Sequence, residues 1–412
     1  MELIVGFQGV CFAIIFTYFI GIKFQVLKKV LWIGLYLRLF AAFVNEFIFK
    51  LPDSNADAIR FEYKTWFFSQ LPFLEFLGSF NSYSTAYTFT WFLSIFYRVL
   101  GRSPLLLESI NIITSLFCII LVYKISILIS NNKYKSIQSA LLFAVFPSIV
   151  LYNVIILREI YIVFFLLNGS YFIIKCINSK HLIFAIYALL NFVPLYFLHG
   201  GLMVGALAFV AVILLRSIKD IINYFMNNRL LIHQVILISS FFFGFFFYFG
   251  NISKLYLPYL GNISKILNFS SIFFQVEATN SGSSIYPGWL VPDSLSSFFL
   301  LIFPRLIYFL FSPFIWDIKA INHLLGLVDG IMITFLFYWI IKGMVLKKLN
   351  KIVSMLLIIL IPLLITYSWG VGNFGTALRH RSKFIPVFIA ISTIYVPKIT
   401  LTKKSEVPKP NE

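Results

Sequence analysis

Apolar runs long enough to cross a bilayer recur from one end of this chain to the other, and no other feature constrains its fold so strongly. A spanning helix needs about 20 predominantly apolar residues. Such runs fall at roughly 3–21, 30–49, 105–127, 136–156, 158–174, 182–198, 200–215, 231–250, 322–341, 352–369 and 383–397. Only 12% of the 412 residues are charged and 60% are hydrophobic, whereas a soluble domain carries about 25% charged residues. A soluble enzyme, a secreted disulfide scaffold and a disordered chain are excluded. The expected fold class is all-α: a polytopic integral membrane helix bundle of eleven spans, residues 1–398, with a short tail at 399–412. The first run has no basic stretch before it and no small-residue cleavage site after it, and so reads as a retained helix.

The net charge of +18 is a statement about orientation. One set of connections, with the tail, collects nineteen basic residues, among them Lys28, Lys29, Lys133, Lys135, Arg216, Lys342, Lys351 and Lys403, against Asp220, Glu406 and Glu412. The positive-inside rule places that set in the cytoplasm, so no nucleic-acid partner is needed to explain the basicity. The N-terminus then lies outside. A twelfth apolar stretch, 297–315, would invert the Lys342–Lys351 loop if it crossed. It carries Pro304 and Pro313, which interrupt helices, and is expected to be re-entrant or interfacial. Two long segments, about 50–104 and 251–321, emerge outside, while the cytoplasmic loops are too short to hold a nucleotide-binding domain. Chemistry, if present, faces outward. The five scattered histidines and three cysteines make no metal signature, and no phosphate-binding loop is present. Neither metal nor cofactor is expected.

The informative residues are polar ones out of place. Arg38 lies midway along the second run, where an arginine costs a few kcal/mol and faces a cavity or a partner unless it snorkels. The stretch Leu51 to Tyr63 opens the first outer segment. Asp53 or Ser54 can cap a helix there, which would put Asp57, Arg60 and Phe61 on one face. A solvated loop is the plain alternative. Arg158-Glu159 falls between two runs with almost no linker, as an interfacial ion pair or as a guanidinium aimed at a phosphate of headgroup depth. His199-Gly200-Gly201 marks another outer turn. Trp369 to Lys383 brings three glycines and then Arg379, His380, Arg381 and Lys383 to the side where positive charge is disfavoured. Glycine amides can form an anion nest, so this cluster suits a lipid-linked phosphate; a headgroup anchor is the alternative.

Taken together, the acidic segment after an early span, Pro147-Ser148…Leu157-Arg158-Glu159, His199-Gly-Gly, Ser312-Pro-Phe-Ile-Trp316-Asp317 and Gly375-x-x-Leu378-Arg379-His380-Arg381 resemble bacterial Wzy-type O-antigen or capsule repeat-unit polymerases and the related GT-C glycosyltransferases. The resemblance covers about 30–397. It implies glycan transfer from an undecaprenyl-diphosphate carrier to a sugar hydroxyl on a second lipid-linked unit, at the outer leaflet of the plasma membrane. It implies membrane lipids and a chain-length regulator protein as partners. The early loop acid of GT-C enzymes maps to Asp57, with Asp317 as its rival; the polymerase arginines map to Arg305, Arg379 and Arg381. Arg38, Arg60, Arg158, Glu159, His199, Trp316 and His380 complete the expected substrate-binding set, with Trp289 and Tyr286 for sugar stacking. The outer segments 50–104, 251–321 and 370–383 are expected to converge on one cavity. A single-sugar GT-C transferase is the nearest alternative, and a lipid-linked oligosaccharide flippase the alternative of a different class.

Overall fold

The computed structural model describes residues 1–80, 85–179, 181–227, 256–257, 261–262, 276, 284–320, 323–346 and 350–397. The expected span at 231–250, most of the repeat at 251–265, Glu277 and the tail at 399–412 lie outside these.

Helices dominate. In chain order they are α1 (Glu2–Lys23), α2 (Lys28–Phe43), α3 (Ile59–Gln70), α4 (Phe73–Gly78), α5 (Thr85–Leu100), α6 (Pro104–Ser130), α7 (Lys133–Val145), α8 (Pro147–Tyr152), α9 (Glu159–Ser179), α10 (Leu182–Leu198), α11 (Met203–Asn227), α12 (Leu295–Phe311), α13 (His323–Val345), α14 (Lys351–Trp369), α15 (Phe374–Arg381) and α16 (Ile385–Ser392). A two-residue antiparallel pairing joins Tyr256–Leu257 to Gly261–Asn262. Six helices among the described residues are long and apolar enough to cross a membrane: 2–23, 25–48, 104–130, 159–179, 323–345 and 351–369. The side chains they leave exposed, such as Phe12, Phe19, Phe40 and Phe335, are themselves large and apolar, as a lipid-facing surface requires.

Two expected spans are not continuous helices. The run 136–156 breaks at Phe146-Pro147, because proline has no N–H to continue the ladder. After the short α8, residues 153–158 run as irregular backbone while nearly all buried. Buried irregular backbone must find partners, and α6 supplies them from one polar face: Asn111 Nδ2 donates to the carbonyls of Val154 and Ile155, and Ser115 Oγ accepts from Asn153. Arg38 answers the break itself, donating to the carbonyl of Ala144, to that of Gly34 and to Ser115 Oγ. The expected final span, 383–397, is also interrupted: α15 and α16 are joined by a turn at 382–384, and α16 is buried on all sides.

Residue contacts sort into two ends. Lys135 reaches the carbonyl of Ile394, Asn350 donates to that of Ile129, and Gly343 lies against Tyr395; this is the lysine-rich end. The interruptions of the two broken apolar segments sit toward the other. Against expectation, α12 continues through Pro304. It starts with Phe298 stacked on Trp369 and ends with Phe311 against Phe337. The chain then returns to His323, whose ring meets Phe374. Gly330 makes this packing possible, since a Cβ there would lie 2.4 Å from the carbonyl oxygen of Phe311.

Candidate functional site

Three separate segments meet around α15. Ile285 bridges Asn373, Tyr286 N–H donates to the Gly372 carbonyl at 2.9 Å, and Phe374 N–H to that of Ser284 at 3.0 Å. Asn373 Oδ1 caps α15 by accepting from Thr376 N–H at 2.8 Å. The backbone amides of 370, 374, 376 and 377 are engaged within the protein, so this part of the glycine-rich stretch acts as a docking strand and helix cap, and the Gly370 amide is not free for an anion.

Arg379, in the last turn of α15, is the centre of the site. Its Nε donates to Glu159 Oε1 at 2.8 Å and its Nη1 to Asp57 Oδ2 at 2.7 Å. Glu159 is fully buried at the first turn of α9, where the helix dipole favours an acid, and Lys383 Nζ lies 3.5 Å from the same oxygen. The Arg379 side chain is 11% exposed and that of Asp57 40%. Glu159 is therefore the floor of the site and Asp57 its rim. Among described residues, Arg379 Nη2 makes no hydrogen bond. Burial opposes a charged guanidinium, but Glu159 and Asp57 outweigh it and hold the Arg379 pKa above its ordinary value.

Asp53 joins this group. It does not cap a helix as expected; its backbone is left-handed, φ 66°, a conformation that Asp tolerates better than most residues. Burial raises its carboxyl pKa, Arg379 opposes that, Glu159 adds to it, and Tyr152 hydrogen-bonds the carboxyl. Three acidic side chains (Asp53, Asp57, Glu159) thus face three basic ones (Arg158, Arg379, Lys383). The site is balanced, not a trap of surplus positive charge.

Behind it lies a layer of His199, Tyr367 and His380, with ring centroids 4.9 to 5.8 Å apart, and Lys383 Nζ hydrogen-bonds His380 Nδ1 at 2.5 Å. Burial, reinforced by Lys383, pushes both imidazole pKa values well below their ordinary range, so both rings are neutral at pH 7. Arg158 Nε, Glu159 Oε2, His199 Nδ1 and Tyr367 Oη are buried here without a hydrogen-bond partner among the described residues. Such atoms are rare in proteins and each calls for an explanation. Beside this layer opens an apolar cavity of about 450 Å³ between α5, α6, α9 and α10, walled by Phe89, Phe92, Tyr161, Phe165, Phe197 and Leu198 among others. It meets the charged cluster at Leu198, whose carbonyl accepts from Arg158 Nη1 at 2.9 Å.

The remaining expected residues are placed elsewhere. Arg381 is fully buried, paired with Asp329 at 3.0 Å and donating to the carbonyls of Leu310, Ser312 and Gly326. It locks α15 to α13 and is closed to any phosphate. Arg305 is equally enclosed: its three nitrogens serve the carbonyls of Ser368, Leu290 and Val371 around the end of α14, where helix carbonyls lack partners. Arg38, as above, supports a broken helix. Asp317 is tied locally, its Oδ2 accepting from Phe314 N–H at 3.0 Å in a short turn. Trp316 is exposed and stacked on Phe314, Trp289 is exposed, and Tyr286 is buried. Arg60 is exposed, and among the described residues no ion pair joins it to Asp57, whose partner is Arg379. Glu159 pairs with Arg379 and Lys383, not with Arg158.

Sequence reasoning missed Asp329, Tyr152, Tyr367 and the α6 series Glu108, Asn111, Ser115. The last carried a signal: polar residues spaced by three and four inside an apolar run mark a face that meets polar partners. Compared with models of known families, with curated proteins and with solved structures, the chain matches none. The fold and the site therefore define only a class, an α-helical membrane protein with a charged, partly enclosed cluster beside an apolar cavity.

Proposed function

We propose that this protein is a membrane glycosyltransferase that polymerises undecaprenyl-diphosphate-linked oligosaccharide units into a surface polysaccharide. The observation that carries the reading is the ion pair of Asp57 with Arg379, 322 positions apart in sequence, beside an apolar cavity large enough for part of a lipid chain. A substrate with an isoprenoid tail, a diphosphate and a sugar asks for those three environments in that proximity. Asp57 takes the proton of the acceptor hydroxyl, whose oxygen forms the new bond at the anomeric carbon as the bond from that carbon to the diphosphate oxygen breaks. The leaving diphosphate carries the negative charge to the free Nη2 edge of Arg379 and to Arg158. A positioned base contributes about 10²–10⁴-fold to such a step.

The finer topology belongs to the same proposal: eleven spans, N-terminus outside, site facing the periplasm or exterior, and α12 re-entrant. The path of α12 from Trp369 to Phe337 and back to Phe374 supports the last point. Membrane lipids and a chain-length regulator are the proposed partners. A single-sugar GT-C transferase would use the same groups. Transport of a lipid-linked glycan is the reading of another class, favoured by the two broken crossings at 133–158 and 374–395, since interrupted helices mark many transporter sites. Purified protein with a defined lipid-linked repeat unit separates the three. A ladder of lengthened products supports the polymerase, a single addition from a polyprenyl-phosphate donor the transferase, and movement across a vesicle without new bonds the flippase.

A further inference from the structure

A second cavity, polar and of about 110 Å³, opens between the start of α6 and the 54–58 turn. Asn45, Glu46, Lys50, Ser54, Glu62 and Glu108 supply its polar wall. Two π-helical turns, 44–48 and 54–58, flank it, and such turns persist mostly where function retains them. Glu108 is fully buried. Its Oε1 accepts from Asn45 Nδ2 at 2.7 Å, and Asn45 is fixed in turn because its Oδ1 accepts from Leu51 N–H at 3.0 Å. The other oxygen, Oε2, is buried with no hydrogen-bond partner among the described residues.

The charges around this cavity do not balance. Glu62 is satisfied by a two-point contact with Arg102 and by Tyr97. Glu46 is paired with Lys50 at 3.2 Å. Glu108 has no ion-pair partner among the described residues; Glu46 and Lys50 both lie within electrostatic reach of it, and Lys50 is already paired with Glu46. A buried carboxylate is paired, or it is neutral. No acceptor among the described residues stands ready for a proton on Oε2, whereas a cation in the cavity would answer both the charge and the orphaned oxygen.

We infer that this cavity is a binding site for one small monovalent cation, an alkali ion or a primary ammonium group, with Glu108 as the principal ligand. At about 30 Å³ per water in the liquid, the space admits such an ion with a few waters, or an aminoethyl group, and not a bulky quaternary ammonium. The inference does not depend on the glycan-transfer reading. An ion bound here would brace the segment that carries Asp57, since Ser54 and Ala58 belong to both.

The test uses the full-length protein in a detergent free of amino lipids, with thermal unfolding followed at constant ionic strength and pH. Sodium, potassium and ethylammonium chlorides are each titrated against N-methylglucamine and tetramethylammonium chlorides. The expected result is a saturable rise in Tm with at least one of the small cations and none with the large ones; which cation acts identifies the source. Glu108→Gln, which retains shape and can still accept from Asn45, should abolish that response, and Glu46→Gln should weaken it. Absence of any cation response in the wild type, or an undiminished response in Glu108→Gln, overturns the proposal. If Glu108→Gln fails to fold, sodium-23 line broadening by the wild type, competed by ethylammonium, decides. No broadening together with no shift in Tm refutes the site.

Discussion

Removing Arg379 should reveal that its two carboxylate partners are held on very different terms. Glu159 is 0% exposed and Asp57 40% exposed as side chains. Replacing Arg379 with Met keeps the volume and leaves Glu159 buried with one ion-pair partner, Lys383 at 3.5 Å, and with Arg158 within electrostatic reach. Breaking one side of a buried pair costs about 3–5 kcal/mol; the remaining lysine puts the expected loss at the low end, about 3 kcal/mol. Glu159→Gln in the same protein removes the stranded charge and should recover much of that loss. A double-mutant cycle is therefore expected to give an Arg379–Glu159 coupling of about 2 kcal/mol or more. The Arg379–Asp57 coupling, measured with Asp57→Asn, should stay below about 1 kcal/mol, because solvent screens the rim. Unfolding of detergent-solubilised protein by denaturant supplies each corner. A coupling to Asp57 that equals or exceeds the coupling to Glu159 would refute the assignment of floor and rim.

Asp57→Asn should lower polymer formation by about 10²–10⁴-fold while shifting stability by less than about 1 kcal/mol; Asp317→Asn keeps an acceptor oxygen for the Phe314 N–H, so it should change stability by less than about 1 kcal/mol and leave polymer length unchanged. Product ladders and unfolding curves on the two variants check both, and a dead Asp317→Asn with active Asp57→Asn would exchange their roles. Arg381→Met should abolish accumulation of folded protein, whereas Arg381→Met with Asp329→Leu should restore it, since replacing a whole buried pair by apolar side chains is often neutral or better; expression and size-exclusion profiles show which holds. The neutral states of His199 and His380 set a pH dependence. Their folded pKa values are depressed, so the unfolded chain binds more protons below about pH 6.5, and stability must fall as pH drops through that range, by up to about 1.4 kcal/mol per unit for each histidine. Denaturant midpoints at pH 7.5 and 5.5 should differ in that sense, and His380→Gln should flatten the slope.

Much of the architecture was legible before any coordinates. Length and apolarity of a run are local properties, so 2–23, 104–130, 159–179, 323–345 and 351–369 could be read directly, as could the gathering of outlying arginines and acids toward function or support. The convergence of Asp57 with Arg379 also followed from placing both on one side of the bilayer. What no local pattern contains is the choice of partner. Arg379 and Arg381 are two residues apart with the same side chain, yet the turn of α15 aims one at Asp57 and Glu159 and the other into Asp329. Whether a run ending in Phe146-Pro147 continues as helix or collapses into irregular backbone depended on Asn111, Ser115 and Arg38 standing ready to take its free polar groups. Sequence determined that this chain lives in a membrane and which residues are too costly to lie there idle. Tertiary structure decided which of those charges support the fold and which face a ligand, because a buried charge is set by its neighbours and those neighbours are remote in sequence.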